Sequence, residues 1–471
     1  MTGSQQAEAS RLRAQTGLGE ICMKFARQLI IASTALASTM GMAQAGGFQR
    51  GTADTDILYE PGTFSNRLSF TYVSPQRGFE SINGVRGDYG TYTGSYQIPS
   101  AAIKFGGEAA ACAGNYVESF AGEGDYRSLP GGAQPAQFPG GARVRDLEFK
   151  SNEWSATCRV SYTQDRMRFS LLGGLFVEDF EFNGTSLANR NISASLPASL
   201  SRTLGGLGAS LLVPVALTAD TDASNKPGYR IGAAFEIPEI ALRAQVLYRS
   251  EVKHDDITGT GTLAATGDAF VQLADGRRLS IPTAAAFLAG NGIAVPSALL
   301  SALPTTGTVL ASGLPAYQNT ATSPQSLNVN FQTGIAEGTL LLASFRWTDW
   351  STNKAVVTTV AGISNVSPYN WDDGYTVSLG VGRAFNENVS GSISIGYDSG
   401  VSRGSETTYT DIYTLSGGVS LKNNKWAELR FGGLVGYWTG GSQSVSRGAL
   451  FNATVGDDWV YAANASLKLN F

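Results

Sequence analysis

The chain has 471 residues, a formal net charge of −4, 15% charged side chains, 57 glycines and a mean hydropathy of −0.05. That balance is too neutral for a helical membrane protein and too poor in charge for an ordinary soluble one. No dense Lys/Arg run is present, which argues against nucleic acid as a partner.

From Met23 the chain reads MKFARQLIIASTALASTMGMAQAGGF. Lys24 and Arg27 make a positive start, residues 29–42 an apolar core, and Ala43-Gln44-Ala45 a cleavage site. Residues 23–45 therefore read as a signal peptide, and 1–22 as an upstream extension. Beyond it, no apolar run is long enough for a membrane helix. Residues 46–66 (GGFQRGTADTDILYEPGTFSN) precede the first convincing strand and are expected either to plug a lumen or to form a disordered tail. Cys112 and Cys158 both fall in strand-like stretches of an exported chain, where a disulfide is allowed but not required. With two mature cysteines and one histidine, neither a metal site nor a cofactor is expected.

About fourteen segments alternate apolar and polar residues with period two. They lie near 67–74, 95–105, 108–120, 146–163, 166–182, 228–237, 240–258, 325–336, 338–360, 374–385, 389–398, 410–422, 426–446 and 458–471. In ALRAQVLYRSEVK (241–253), Leu242, Ala244, Val246 and Tyr248 share one face, and Arg243, Gln245, Arg249, Glu251 and Lys253 the other. A midplane Arg or Lys facing lipid costs roughly 2–4 kcal/mol, so the charged face is assigned to a lumen. Trp347, Tyr397, Tyr437, Trp438 and Trp459 stand at strand ends, where a membrane interface favours aromatic rings. Short turns alternate with long connections, chiefly 183–227 and 259–323. The expected fold is all-β: a transmembrane antiparallel barrel of about fourteen strands (67–471), with a luminal hatch at 46–66. The C-terminal Phe471, with apolar residues alternating back from it, resembles the signal read by the barrel-assembly machinery. Bacterial outer membrane is the expected location, with outer-membrane lipid around the wall.

The long connections contain apolar stretches with helix-compatible spacing, at 196–217 and 281–304, with Pro282 at a start and Gly290 at a stop. Leu211, Leu212, Phe287, Leu288, Leu299 and Leu300 are candidates to line a groove for hydrophobic molecules. Alternatively, they pack on one another and close the barrel mouth. Arg249 and Lys253 are candidates to receive a carboxylate, Arg249 as a bidentate donor. The alternative for both is internal pairing with luminal acids.

Three stretches carry a family resemblance. GYRIGAAFEIPEIALRAQVLYRSEVKHDDITG (228–259) resembles the hairpin around a Tyr-Arg-Ser-Glu-Val-Lys motif in the FadL family of long-chain fatty acid transporters. SPQSLNVNFQTGIAEGTLLLASFRWTDWS (323–351) is similar to that family's Pro-x-Ser strand and Trp-x-x-Trp-Ser hairpin. WDDGYTVSLGVGRAFNENVSGSISIGYDSG (371–400) resembles the hairpin that follows. The resemblance implies a fourteen-stranded barrel, a hatch, helical outer loops that capture fatty acids or aromatic hydrocarbons, and a sideways exit at a kinked third strand. Gly114 is then the candidate break in strand pairing. Where the family's hatch has Asn-Pro-Ala, this chain has Glu60-Pro61-Gly62, the other expected gating residues. The function implied is passive uptake of hydrophobic compounds. The alternative is a general porin for small hydrophilic solutes. An enzyme is not expected: a lipid hydrolase would need a base, and His254, the sole histidine, follows the charged strand face out of phase, toward lipid or the rim, with no Gly-x-Ser-x-Gly elbow expected to accompany it.

Overall fold

The computed structural model describes residues 47–136, 141–290, 292–407, 409–423 and 426–470. The expected signal peptide and upstream extension, and Phe471, lie outside them. Fourteen strands form a closed antiparallel barrel. They are β1 (Phe64–Pro75), β2 (Tyr96–Gly106), β3 (Ala110–Asp125), β4 (Arg143–Gln164), β5 (Met167–Asn191), β6 (Ser210–Ile237) and β7 (Leu242–Arg249). The wall continues with β8 (Ser326–Ala336), β9 (Thr339–Thr348), β10 (Gly374–Ala384), β11 (Val389–Asp398), β12 (Ile412–Asn423), β13 (Ala427–Trp438) and β14 (Asp458–Asn470). Each pairs with the next over at least part of its length, and β14 returns to β1 with Leu467 opposite Leu68, which closes the barrel.

Alternation decides the faces. Along β14, Trp459, Tyr461, Ala463 and Ala465 point outward, while Ser466 and Lys468 are buried inside. Leu68, Ile103, Leu171, Ile231, Leu379, Ile395, Leu415 and Phe431 continue an exposed apolar belt. Inside, Arg67, Lys104, Glu153, Arg230, Gln245, Glu428 and Arg430 are buried. An exposed apolar belt around a polar, ion-paired interior is the architecture of an outer-membrane barrel. Trp438 departs from the interfacial expectation: it is 4% exposed and faces inward, with the Arg77 guanidinium 4.4 Å from its ring.

The strands are unequal. β7 has 8 residues and β6 has 28, whereas about 9–11 cross a hydrocarbon core. The upper parts of β4–β6 therefore stand beyond the membrane. There β6 pairs with Thr258–Ala265 and Phe270–Gln272, which extend through Arg278–Ser280 and Val309–Gln318 into an outer sheet. Much of 183–227, expected as a loop, is thus strand, interrupted by a short helix α1 (Ala198–Gly206). Leu211, Val213, Val215, Leu217 and Ala219 are all buried, a period of two hidden within a run apolar enough to pass for helix. Helices α2 (Ile281–Gly290) and α3 (Ser297–Ser301) do form in the second connection. Cys112 and Cys158 stand opposite each other on β3 and β4, with Cα atoms 4.0 Å apart, and are bridged.

Candidate functional site: a luminal segment, an apolar cavity and an open seam

Residues 47–63 run through the lumen, and their lower end is tied by charge. A single 3-10 turn, Asp56–Tyr59, buries Ile57 and Leu58 completely against Ala102, Ala111, Leu172 and Leu247. Pro61-Gly62 then turns the chain toward β1, with Gly62 at φ 88, a conformation that favours glycine. Arg67 donates to Asp54 at 2.5 Å and to Glu60 at 2.8 Å. Lys468 lies 3.0 Å from Glu60, and Lys104 caps the carbonyls of Glu60 and Gly62 at 2.6 and 2.7 Å. Arg243 reaches Asp56 at 2.6 Å. Burial alone would push the Glu60 carboxyl up, but Lys468, Arg67 and Arg430 outweigh it and hold it below the usual carboxylate range. Of the expected gating residues, Glu60, Pro61 and Gly62 therefore sit at an anchored base.

The upper end is held differently. Phe48 packs edge-on to Phe149 at 4.8 Å and Tyr369 at 5.4 Å, and lies 4.6 Å from Trp371. With Phe120, Phe180, Phe182 and Trp350 it lines an apolar cavity of about 100 Å³ between the barrel mouth and the outer sheet. Below this cavity lies a buried ion cluster. Arg249 bonds Glu153 at 3.1 Å and also Glu178, Arg230 bonds Glu153, and His254 Nε2 is 3.5 Å from Glu178. The Arg249 guanidinium is fully occupied by protein acids and by the faces of Phe120 and Phe176.

Lys253 is not in the lumen. Strand β7 stops at Arg249, and Val252–His254 form a separate ribbon with Ala321–Ser323, so the alternation restarts in a different phase. Val252 and His254 are buried, whereas Lys253 is exposed and pairs with Glu251 at 2.9 Å. His254 accordingly points into the protein rather than toward lipid or the rim.

Leu211, Leu288, Leu299 and Leu300 come together, with Leu200 and Leu204 of α1, around a small apolar pocket on the outer domain. Leu212 and Phe287 are not part of it: Leu212 lies on the opposite face of β6 from Leu211, and Phe287 is 44% exposed.

The wall is discontinuous at one place. β2–β3 pairing runs from Gly106 opposite Ala111 up to Ser100 opposite Val117 and ends there. Above that level, among the wall strands, Tyr96–Pro99 pair only with β1 and β3 only with β4, where Ser119 is an extra residue in the ladder. The neighbouring β4–β5 ladder skips Ser151-Asn152 and Asp179-Phe180, with the Asp179 carboxylate accepting the Asn152 N–H at 2.6 Å. Gly114, expected as the break, is regularly paired to Ile103 on one side and Ala156 on the other. A glycine weakens a strand, but register is lost here at Ser119 and beside Pro99, which has no N–H to give. A proline inside the second strand was the sequence signal for this seam. Phe48 and Phe120 carried no comparable signal, because an isolated phenylalanine looks the same on either face.

No family model matches the sequence, and no curated protein does. The structure, however, is similar to a FadL homologue from Pseudomonas aeruginosa at TM-score 0.58 and 15% identity, covering 91% of this chain and 96% of that one. It is also similar to the toluene transporter TodX of Pseudomonas putida, at TM-score 0.56 and 12% identity over 88% and 92% of the two chains. The CymD monoaromatic hydrocarbon channel matches at TM-score 0.54 and 14% identity, over 88% of this chain and 90% of that one. The chain has the FadL-type channel fold.

Within that fold, no group of three or more His, Cys, Asp or Glu side chains among the described residues is placed to hold a metal ion. A Gly-x-Ser-x-Gly string at 400–404 lies in the β11–β12 connection, where the Ser402 hydroxyl donates to Glu406 while His254 is engaged with Glu178. This is not the strand–turn–helix setting that activates such a serine.

Proposed function

We propose that this FadL-like barrel is a passive outer-membrane channel for hydrophobic compounds and that its preferred substrate is uncharged. The ligand is captured at the α1–α3 pocket and passes to the cavity under Phe48. Residues 46–66 act as the hatch, and exit is lateral, through the β2–β3 seam. The observation that carries the choice of substrate is the ring-lined wall of the cavity, where Lys354 is the one cation among the lining residues, together with the pairing of the two arginines below it. Arg249 and Arg230 are already neutralised by Glu153 and Glu178, and breaking such a buried pair costs about 3–5 kcal/mol. A fatty acid carboxylate would have to compete with those acids. An uncharged aromatic molecule needs only the apolar rings, and rings packed edge to face contribute about 0.5–1.5 kcal/mol each beyond burial. The toluene and monoaromatic channels among the similar structures support this reading. The rival porin reading is disfavoured by the N-terminal segment that lies across the lumen and is ion-paired to its wall.

The test is ligand-induced change in tryptophan emission of the purified protein, since Trp350 lines the cavity and Trp371 touches Phe48. Alkylbenzenes should shift the emission saturably, and Phe48→Ala should weaken the response. Saturable binding of a long-chain fatty acid, with none of alkylbenzene, would overturn the choice of substrate.

A further inference from the structure

The seam between β2 and β3 is not empty, and what fills it is specific. Arg50 donates its backbone N–H to the Ser119 carbonyl at 2.9 Å, and Ala121 donates to the Phe48 carbonyl at 3.0 Å. Gln49 forms a bridge with Phe120. The stretch 48–50 thus adds to the edge that β3 exposes where β2 has left it, satisfying groups that hydrocarbon would otherwise strand. On the opposite side the Arg50 guanidinium lies 3.1 Å from the centroid of the Tyr96 ring on β2. Gly51 passes through the narrowest point: a Cβ there would stand 2.5 Å from Val117 of β3 and 3.4 Å from Ile98 of β2. Phe48 lines the apolar cavity, whereas Gln49, Arg50 and Gly51 line a separate luminal cavity that also touches Tyr96, Ile98 and Val117. The same few residues therefore divide the ligand cavity from the space behind the seam.

We propose that Arg50, stacked on Tyr96, is the latch of the β2–β3 seam. The proposal rests on the lateral-exit reading for its purpose, but not for its test. Withdrawing Arg50 removes the cation–π contact to β2 and leaves β2 and β3 joined only below Ser100. Arg50 is a positioning residue: it need not touch the ligand.

The test places a cysteine at Val117 and measures its modification by a membrane-confined thiol reagent and by a water-soluble one, in intact outer membranes. The backgrounds are otherwise wild type, Arg50→Ala, Tyr96→Leu and Tyr96→Phe, with heat-modifiable mobility confirming a closed barrel in each. Losing one desolvated cation–π contact should raise labelling from the lipid phase about tenfold in Arg50→Ala and Tyr96→Leu. Tyr96→Phe, which keeps the ring, should label like the parent. Unchanged labelling in Arg50→Ala, or an increase only with the water-soluble reagent, would overturn the latch. Hydrocarbon uptake is measured in the same cells. If labelling rises as expected while uptake is unaltered, the latch stands and the lateral-exit reading falls.

Discussion

The two ends of the luminal segment are held by different physics. At the base, Asp54, Asp56 and Glu60 meet Arg67, Arg243 and Lys468 in direct ion pairs, and Lys104 caps two carbonyls. At the tip, Phe48 packs among rings, two backbone hydrogen bonds hold the chain to β3, and one buried bond, from Arg346 to the Gln49 side-chain oxygen at 2.8 Å, is the charged contact. Buried charges lose far more when separated than apolar contacts do, because each is left uncompensated away from water. On the proposed reading the base is the anchor and the tip is the part a hydrophobic ligand competes for, which would move the gate from Glu60-Pro61-Gly62, where the sequence placed it, to Phe48.

The largest effect should come from breaking the base. Glu60→Ala leaves Arg67 and Lys468 without their carboxylate and should cost about 3–5 kcal/mol in denaturant unfolding of the refolded barrel. If the cost is below about 1 kcal/mol, the base is not an anchor. Next is the disulfide, which fixes β3 to β4 below the seam. Cys112→Ser with Cys158→Ser should lower stability by about 2–4 kcal/mol on the chain-entropy model while leaving hydrocarbon uptake unchanged. A loss of uptake at unchanged stability would mean that the lower part of β3 moves during transport.

The tip should behave in the opposite sense. Phe48→Ala removes a half-buried ring and should cost only about 1–2 kcal/mol of stability, but it should alter uptake and ligand response clearly. Equal losses at Phe48 and Glu60 would erase the distinction between the two ends. The smallest expected effect is on pH. The Glu60 carboxyl is held below its ordinary range, so its contribution is fully present at neutral pH and is lost as the pH falls through that lowered value. Protease access to the base should rise only in that acid window, and Glu60→Gln should flatten the dependence.

The wall was legible in the sequence because a period of two is imposed by lipid on one side and ion pairs on the other. Each of the fourteen expected segments contains or overlaps one barrel strand, and the oily face of 242–248 does point outward. The errors cluster where that constraint stops. Beyond the membrane, β5 and β6 are covered by the outer sheet and α1, so 210–219 is apolar on both faces and its alternation is masked. Past Arg249 no lipid fixes the register, and Lys253 leaves the lumen with the change of phase. Of the groove candidates, Leu211, Leu288, Leu299 and Leu300 converge, since helical spacing and strand alternation each bring some of them to one side. Leu212 and Phe287, neighbours in sequence, are turned away for the same reason. The seam depended on which two strands part, and only Pro99 hinted at it.

The most direct test of the central claim is uptake in cells that lack their own hydrophobic-compound channel and express this protein. Labelled alkylbenzene, long-chain fatty acid and a small sugar would be compared with an empty-vector control. The account predicts alkylbenzene entry well above the control, weaker fatty acid entry, and no increase for the sugar. Entry of the sugar at a rate matching alkylbenzene, from a correctly inserted barrel, would contradict it and leave an ordinary pore.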